Sequence, residues 1–257
     1  MTSANEITVY RGHTDIGCYV WSPFVTKLEA RLRFGKIVYK TEAGSVTNAP
    51  KGKVPYISME GENGTTLLSD SSLIIKALIE SGKFENLNSN LSGAQKLQDI
   101  ALQALLEDKL YFYGTHEKWI QNYYAMREKI LGALPWPVKA VVGNMIYRKN
   151  VRNMEGQGTG KFSEEEIAAF RLEVWDTLNA AISETYTQHR DEDGPFWVWG
   201  GDNPTEADAV VYGFIVSALT CGPAAPTTKV IVQSHPALVE YARRIHDVYF
   251  PDYEFQE

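Results

Sequence analysis

A serine at the start of a predicted helix is the first residue of this chain whose position suits chemistry. Ser22 stands before Pro23 and an apolar helical pattern, the favoured order of N-cap and first helical residue. A hydroxyl there can donate to a thiol, and the helix dipole favours the thiolate, so a bound sulfur would become nucleophilic at neutral pH. Capping the helix is the competing role for the same hydroxyl. Tyr10, in the preceding strand, and Cys18, in the preceding loop, are alternative thiol partners.

A proline near the start of a predicted strand is the second feature. Lys53, Val54 and Pro55 open the run 54–59, and proline cannot donate to a β ladder. A cis bond before Pro55 would leave the backbone N–H and C=O of Val54 free to bind an extended thiol peptide. An ordinary trans proline on an edge strand is the alternative.

Asp70 and Ser71 stand at the start of another predicted helix. The free N–H groups and partial positive charge of a helix N-terminus suit a carboxylate, and a neighbouring aspartate suits an ammonium. Together they fit the head group of an amino acid. Taken alone, the pair is explained by capping.

Aromatic residues cluster after position 110; such a cluster is more often core or domain interface than ligand pocket, but it is where an apolar co-substrate could sit. The cluster is Tyr111, Tyr113, Trp119, Tyr123 and Tyr124, and the pocket is expected at Tyr111, Tyr113 and Trp119. Other chemistry is not expected, because the five histidines lack metal-ligand spacing and the glycine-rich stretch 156–161 lacks the spacing of a P-loop.

Two kinds of element must position these residues. The first third predicts strands at 7–10, 37–39, 54–59 and 65–68, with helices beginning at Ser22 and at Asp70 and a hairpin turn at Asn63-Gly64. This order is the thioredoxin-like α/β arrangement. A polar linker is expected within 81–92, and later segments read as helices, with capping boxes at Ser163 and Thr205. We therefore expect a thioredoxin-like domain at 1–82 and an all-α domain at 93–257.

The overall composition bounds the function. A formal net charge of −7, with no block of Lys and Arg, argues against nucleic acid and a polybasic membrane patch. The two cysteines do not make a disulfide framework, and no signal pattern is present. The longest apolar stretch, 207–221, contains Asp208 and is shorter than the ~20 residues that span a bilayer. A cytoplasmic protein without membrane contact is expected.

Four motifs spread along most of the chain resemble the glutathione transferase superfamily. They are Ser22-Pro23-Phe24, Lys53-Val54-Pro55, Asp70-Ser71 and Pro204-Thr205-Glu206-Ala207-Asp208. A similarity to its failed-axon-connections and metaxin-like branch rests on three further segments. These are Lys27-Leu28-Glu29, Leu106-Glu107-Asp108 and the glycine-rich stretch 156–160 before Glu165-Glu166-Ile167.

The resemblance implies a role for each matched position. The main chain of Val54, before Pro55, would hold the cysteinyl part of glutathione, Asp70 and Ser71 the γ-glutamyl end, and Lys53 could approach the glycyl carboxylate. Ser22 matches the residue that activates the thiol in serine-type members, where omega-like members carry cysteine. Serine at this position implies conjugation rather than thiol–disulfide exchange.

Two functions follow from the resemblance. The first is a serine-type transferase of detoxification, usually homodimeric in this superfamily, that conjugates glutathione to a small apolar electrophile. The second is a non-catalytic carrier or adaptor, which the long and bulky loop at 13–21 before Ser22 would favour.

Overall fold

A four-stranded mixed sheet forms the first third of the chain in the computed structural model, which describes residues 6–61 and 64–256. Its strands are β1 (Ile7–Tyr10), β2 (Tyr39–Glu42), β3 (Tyr56–Gly61) and β4 (Gly64–Ser69), in the spatial order β2-β1-β3-β4. β1 pairs in parallel with β2 and antiparallel with β3, and β3 pairs antiparallel with β4. The predicted hairpin is thus present, although Asn63 of its turn lies outside the described residues.

Two helices pack on this sheet, α1 (Pro23–Phe34) and α2 (Ser71–Glu80). The side chains that join them to the strands are fully buried, at Val9, Leu28, Leu32, Ile57, Ile74 and Leu78. Burying each such aliphatic side chain contributes about 1.5–3 kcal/mol. The thioredoxin-like prediction for this part of the chain is confirmed.

Helix α1 is buried nearly all round. Its charged side chains are buried as well, at Lys27, Glu29 and Arg31. Such burial requires partners. Lys27 Nζ lies 2.5 Å from Glu107 Oε1, and Arg31 Nε lies 2.8 Å from Glu206 Oε2. These partners belong to the second domain, so α1 joins the two halves of the molecule.

The rest of the chain is helical, and the all-α prediction is confirmed. Its helices are α3 (Gly93–Leu105), α4 (Tyr111–His116), α5 (Tyr123–Leu131), α6 (Trp136–Gln157), α7 (Glu164–Gln188), α8 (Glu206–Thr220), α9 (Pro226–Gln233) and α10 (Pro236–Tyr249). π-helical turns at Leu106–Leu110 and Glu117–Gln121 extend α3 and α4, and a 3₁₀ turn follows at Thr159–Lys161. Within residues 6–61 and 64–256 no helix combines the length and apolarity needed to cross a bilayer.

Helix α8 is buried along almost its whole length and forms the centre of the second domain. Thr205 and Asp208 form its capping box, and Asp208 Oδ1 also accepts from Val198 N at 2.7 Å. Gly213, in mid-helix, faces α1: a Cβ there would stand 2.5 Å from Pro23 O. The start of α1 therefore rests directly on the backbone of α8.

Three boundaries differ from the prediction. β2 begins at Tyr39 rather than 37, because Ile37 N still donates to Leu32 O at the end of α1. β3 begins at Tyr56 rather than 54, after the cis Val54–Pro55 bond. Phe84, inside the predicted linker, is buried in the core of the first domain. The division at residue 82 stays a prediction.

Candidate functional site

A cavity of about 300 Å³ lies where the two domains meet. The first domain lines it with the loop that leads into α1 and with Val54; the second lines it from α4, the following π-helical turn and α5. The side chains from the second domain are Tyr111, Thr115, Lys118, Trp119, Met126, Lys129 and Ile130.

Ser22 lines this cavity with a hydroxyl that does not cap its helix. Its backbone is extended, at φ −91° and ψ 116°, and its C=O accepts from Val25 N at 3.2 Å and Thr26 N at 3.3 Å. Its side chain makes no capping hydrogen bond. The hydroxyl is therefore available to a molecule in the cavity, beside the positive end of α1.

A cis peptide bond joins Val54 to Pro55, which is one of the two alternatives that the sequence left open. Val54 lines the cavity, and its backbone has no hydrogen-bond partner within the described part of the chain. Gly12, at φ +75°, lies against it; a Cβ on Gly12 would be 3.2 Å from Val54 Cγ2. Glycine is therefore favoured at position 12 for two reasons: the backbone has a positive φ, and a side chain there would come close to Val54.

Asp70 holds an unusual backbone conformation at the start of α2. Its φ is +81°, a region that non-glycine residues rarely occupy and that recurs at functional sites. Asp70 Oδ1 accepts from Ser72 N at 3.2 Å and Leu73 N at 3.3 Å, whereas Oδ2 has no hydrogen-bond partner among residues 6–61 and 64–256. Ser71 is buried at the first position of α2, and the neighbouring Ser69 Oγ is buried without a partner.

Asp70 and Ser71 are not lining residues of the cavity, and three other predicted residues also lie outside it. Tyr10 stacks on Tyr56 with ring centroids 4.3 Å apart, and its hydroxyl is 3.3 Å from Ser58 Oγ. Burial raises the pKa of the Cys18 thiol, so Cys18 carries a protonated thiol at neutral pH. Lys53 is exposed and is not a lining residue. Of the three candidates for thiol activation, Ser22 alone lines the cavity.

The predicted aromatic wall is divided between two sides of one helix. Tyr111 and Trp119 line the cavity. Tyr113 instead packs against Phe170 of α7, with ring centroids 5.9 Å apart. The helical period explains the difference, because a residue two positions after Tyr111 points to another side.

Basic side chains line the cavity, and sequence reasoning missed them. His13, Lys118 and Lys129 reach it from three separate segments, and no carboxylate of the described residues lines it. Burial, followed by the charge of Lys129, lowers the pKa of His13, which favours its neutral form. Lys129 Nζ also lies 5.5 Å from the centroid of the Trp21 ring. No spacing in the sequence signals this convergence.

The bulky loop before Ser22 is fixed in place by a buried arginine. Arg11 Nε lies 3.3 Å from Glu29 Oε1 on α1, and its guanidinium donates to the carbonyls of Asp15 and Cys18. The loop is also held from the C-terminal side, where Glu254 N donates to Gly17 O at 3.0 Å. The loop forms one wall of the cavity and leaves Ser22 open to it. In the described ranges, no three His, Cys, Asp or Glu residues are grouped to hold a metal ion.

Comparisons with known proteins agree with this two-domain geometry. The Glutathione S-transferase N-terminal domain family matches residues 23–126, and the Glutathione S-transferase C-terminal domain family matches residues 196–245. The isoprene-epoxide–glutathione S-transferase of Rhodococcus sp. (strain AD45) is 31% identical over 252 residues, which cover 95% of this chain and 99% of that protein. This chain belongs to the glutathione transferase superfamily. The resemblance drawn from the four motifs is confirmed.

Other relatives of this transferase-family chain agree with the expected branch and fold. Human Metaxin-2 is 24% identical over 220 residues, covering 84% of this chain and 76% of that protein. The crystal structure of glutathione transferase GSTFuA2 from Phanerochaete chrysosporium superposes with a TM-score of 0.60 at 15% identity, covering 96% of this chain and 99% of that one. A glutathione transferase family member from Pseudomonas fluorescens, with two glutathione molecules bound, gives 0.56 at 14% identity, covering 97% and 92%.

Proposed function

We propose that this transferase-family protein binds glutathione in the cavity between its domains and joins the glutathione sulfur to a small apolar electrophile. The observation that carries the proposal is the Ser22 hydroxyl, which makes no cap and lines the same cavity as the residue before the cis proline.

Glutathione would lie across the first domain with each part facing a matching group. The unpaired backbone of Val54 would bind the cysteinyl N–H and C=O. Asp70 Oδ2 would receive the γ-glutamyl ammonium, and the N-terminus of α2 at Ser71 would receive its carboxylate. Lys53, exposed beside Val54, would approach the glycyl carboxylate. The free oxygen of Asp70 and its positive φ support this orientation.

Ser22 would donate its hydroxyl hydrogen to the sulfur and so stabilise the thiolate, helped by the α1 dipole. The thiol proton passes to solvent, and the thiolate then attacks the electrophilic carbon. With an epoxide the ring C–O bond breaks, its electron pair passes to the oxygen, and that oxygen takes a proton from solvent or from a cationic group of the wall. Lys118 and Lys129 would stabilise the negative charge on the oxygen as it develops.

Epoxides are the first electrophiles to test, since the Rhodococcus relative is named for isoprene epoxide. Tyr111, Trp119 and Met126 offer an apolar wall that suits a small carbon skeleton. Tyr113, behind that wall, would shape it through α4 and would not touch the substrate.

The test is conjugation of glutathione to a small epoxide and to a chloro-nitroarene by the parent protein, Ser22→Ala and Cys18→Ala. Loss of one hydroxyl donor should lower kcat/KM by about 10²–10³-fold, while the Cys18 variant keeps the parent rate. Equal rates for Ser22→Ala and parent would refute the assignment of Ser22. A melting temperature that rises with glutathione, without turnover of either electrophile, would leave the protein as a glutathione carrier.

We also propose a homodimer in the cytosol. Exposed apolar side chains at Leu67 on β4, Leu73 on α2, and Leu97 and Ile100 on α3 support a contact between two copies. Sedimentation velocity should give the mass of two chains for the parent and of one chain for the double variant Leu97→Glu, Ile100→Glu.

The cytosolic location is supported by the two cysteines, which are both free, as fits a reducing compartment.

A further inference from the structure

The α5–α6 hairpin carries a group of exposed apolar side chains. Six large apolar side chains within positions 124–145 are exposed and do not line the cavity: Tyr124, Leu134, Trp136, Val138, Val141 and Met145. Trp136, between two prolines at the tip, is 73% exposed, and Met145 is 65% exposed. Exposed apolar side chains grouped in this way on a globular protein indicate an interaction site.

Part of this surface forms a continuous stripe along α6. Val138, Val141 and Met145 are followed at the same spacing by Arg148 and Arg152, so all five residues lie on one side of the helix. We refer to these five residues as the α6 stripe. Its apolar half adjoins the tip of the hairpin, and its basic half leads away from it.

The other side of α6 packs against α5. The stripe is therefore exposed on a helix that is part of the folded domain. Gly143 is buried there against α5; a Cβ on it would stand 2.7 Å from Tyr123 Oη and from Arg127 Cδ. Lys139 Nζ also pairs with Glu128 of α5 at 2.9 Å. The two helices form one unit that presents the α6 stripe outward.

The charge of the hairpin is opposite to that of the whole molecule. Residues 123–154 contain six Lys and Arg and one acidic residue, Glu128, in a chain with a net charge of −7. Arg148, Lys149 and Arg152 are exposed, and none is within 4 Å of a carboxylate of the described residues. Basic side chains beside an exposed apolar face are the composition of helices that lie on anionic membranes.

We propose that the α6 stripe and the hairpin tip dock on the surface of an anionic lipid bilayer. The helix lies in the plane of the interface with Val141 and Met145 among the acyl chains and Arg148 and Arg152 at the lipid phosphates. Trp136 at the tip has the amphipathic ring that favours this interface. The protein then rests on the bilayer without crossing it, in contrast to the expectation from composition that it has no membrane contact.

Charge decides between a bilayer and a second copy of the chain. Two copies meeting through the α6 stripe would bring the basic residues of both hairpins together, and like charges at a shared surface oppose association. Anionic phosphates attract the same residues. The docking surface is independent of glutathione chemistry, since the five stripe residues do not line the cavity.

The test is co-sedimentation of the full chain with vesicles of phosphatidylcholine alone or with phosphatidylglycerol added. The parent should bind the anionic vesicles, bind neutral ones at least about tenfold more weakly, and be released at ~0.5 M salt. The double variant Val141→Asp, Met145→Asp should lose at least about tenfold in affinity. A matched control, Val230→Asp with Val248→Asp, changes two exposed valines of α9 and α10 with the same change in charge, and it should bind almost as the parent does.

Three outcomes would overturn the proposal. The first is no binding of the parent to anionic vesicles at low salt, and the second is an equal loss in stripe and control variants. The third is a difference in mass between the stripe variant and the parent, measured by sedimentation velocity without lipid. That result would assign the stripe to a contact between two copies of the chain. Conjugation of glutathione at the parent rate by the stripe variant would show that its fold is intact. The membrane proposal and the glutathione proposal can therefore be refuted independently of each other.

Discussion

Ser22 and Asp70 occupy the same kind of position and use it differently. Both are N-caps, but Asp70 Oδ1 closes the first turn of α2, whereas the Ser22 side chain leaves the first turn of α1 uncapped. A side-chain cap contributes about 1 kcal/mol, so α1 forgoes stability that serine could supply. A polar group left unused by the fold at the edge of a cavity is consistent with a role in chemistry.

Asp70 permits a substitution that separates charge from structure. Asn keeps an acceptor oxygen for Ser72 N and tolerates a positive φ, so Asp70→Asn should leave the melting temperature almost unchanged. It removes the charge proposed to bind the γ-glutamyl ammonium. KM for glutathione should rise about tenfold or more, because a hydrogen bond to a charged group contributes about 1.5–3 kcal/mol.

Steady-state kinetics at varied glutathione concentration measure this effect. Ser72→Thr, whose backbone N–H still reaches Asp70 and whose hydroxyl can still accept from Lys27, is the control for disturbance of the α2 start. A variant that melts as the parent does and keeps its KM would show that the head group binds elsewhere.

The residues of the site differ in how far the sequence predicts them. Ser22, Val54 and Asp70 are recognisable because helix starts and X-Pro bonds are local features. Lys118 and Lys129 are not, because they reach the cavity only once a π-helical turn and α5 have been placed against the first domain. Local patterns thus predict the positions that the backbone determines. Of the co-substrate wall they predict Tyr111 and Trp119 but not the basic residues.

At the scale of elements, α8 supports the residue proposed for catalysis. Gly213 lets α1 approach so closely that Pro23 O and Lys27 N touch the space a methyl group would fill. Ser22 immediately precedes this contact. The position of the proposed thiol activator therefore depends on a glycine in the other domain, almost two hundred residues along the chain.

Gly213→Ala should move or destabilise the start of α1. Its methyl group would meet Pro23 O at 2.5 Å, and overpacking of this kind costs about 1–3 kcal/mol or more. Gly156→Ala, on α6, is the matched control: no atom lies within 4 Å of its Cβ, so the usual helix preference should stabilise the protein by up to about 1 kcal/mol.

Urea unfolding followed by circular dichroism measures both variants. If Gly213→Ala matched Gly156→Ala in unfolding free energy, the close contact between α1 and α8 would be wrong.

This contact also explains why the sequence predicted α1 incompletely. Apolar spacing accounts for the side of α1 that faces the sheet. It does not account for the burial of Lys27 and Arg31, which pair with carboxylates of the second domain.

At the scale of the whole molecule, Lys27 connects the two domains at the proposed glutathione site. Its Nζ donates to Ser72 Oγ at 2.7 Å, at the start of α2, and to Glu107 Oε1 at 2.5 Å, in the helical domain. Arg31 makes a parallel connection one turn later, to Glu206 at the start of α8. The amino-acid head-group site is thus tied to the second domain by buried charge.

Replacing Lys27 should therefore destabilise the protein more than replacing Lys76, a lysine with an exposed ion pair. Lys27→Met leaves Glu107 without its counter-ion in a largely buried place, which should cost about 3 kcal/mol of unfolding free energy. Lys76→Met breaks an exposed pair with Glu80 and should cost less than about 0.5 kcal/mol. Adding Glu107→Gln to Lys27→Met removes the uncompensated charge, so urea unfolding should show most of the lost stability restored. If the double variant were no more stable than Lys27→Met, the cost would come from lost packing around Lys27, and the charge connection between the domains would be refuted.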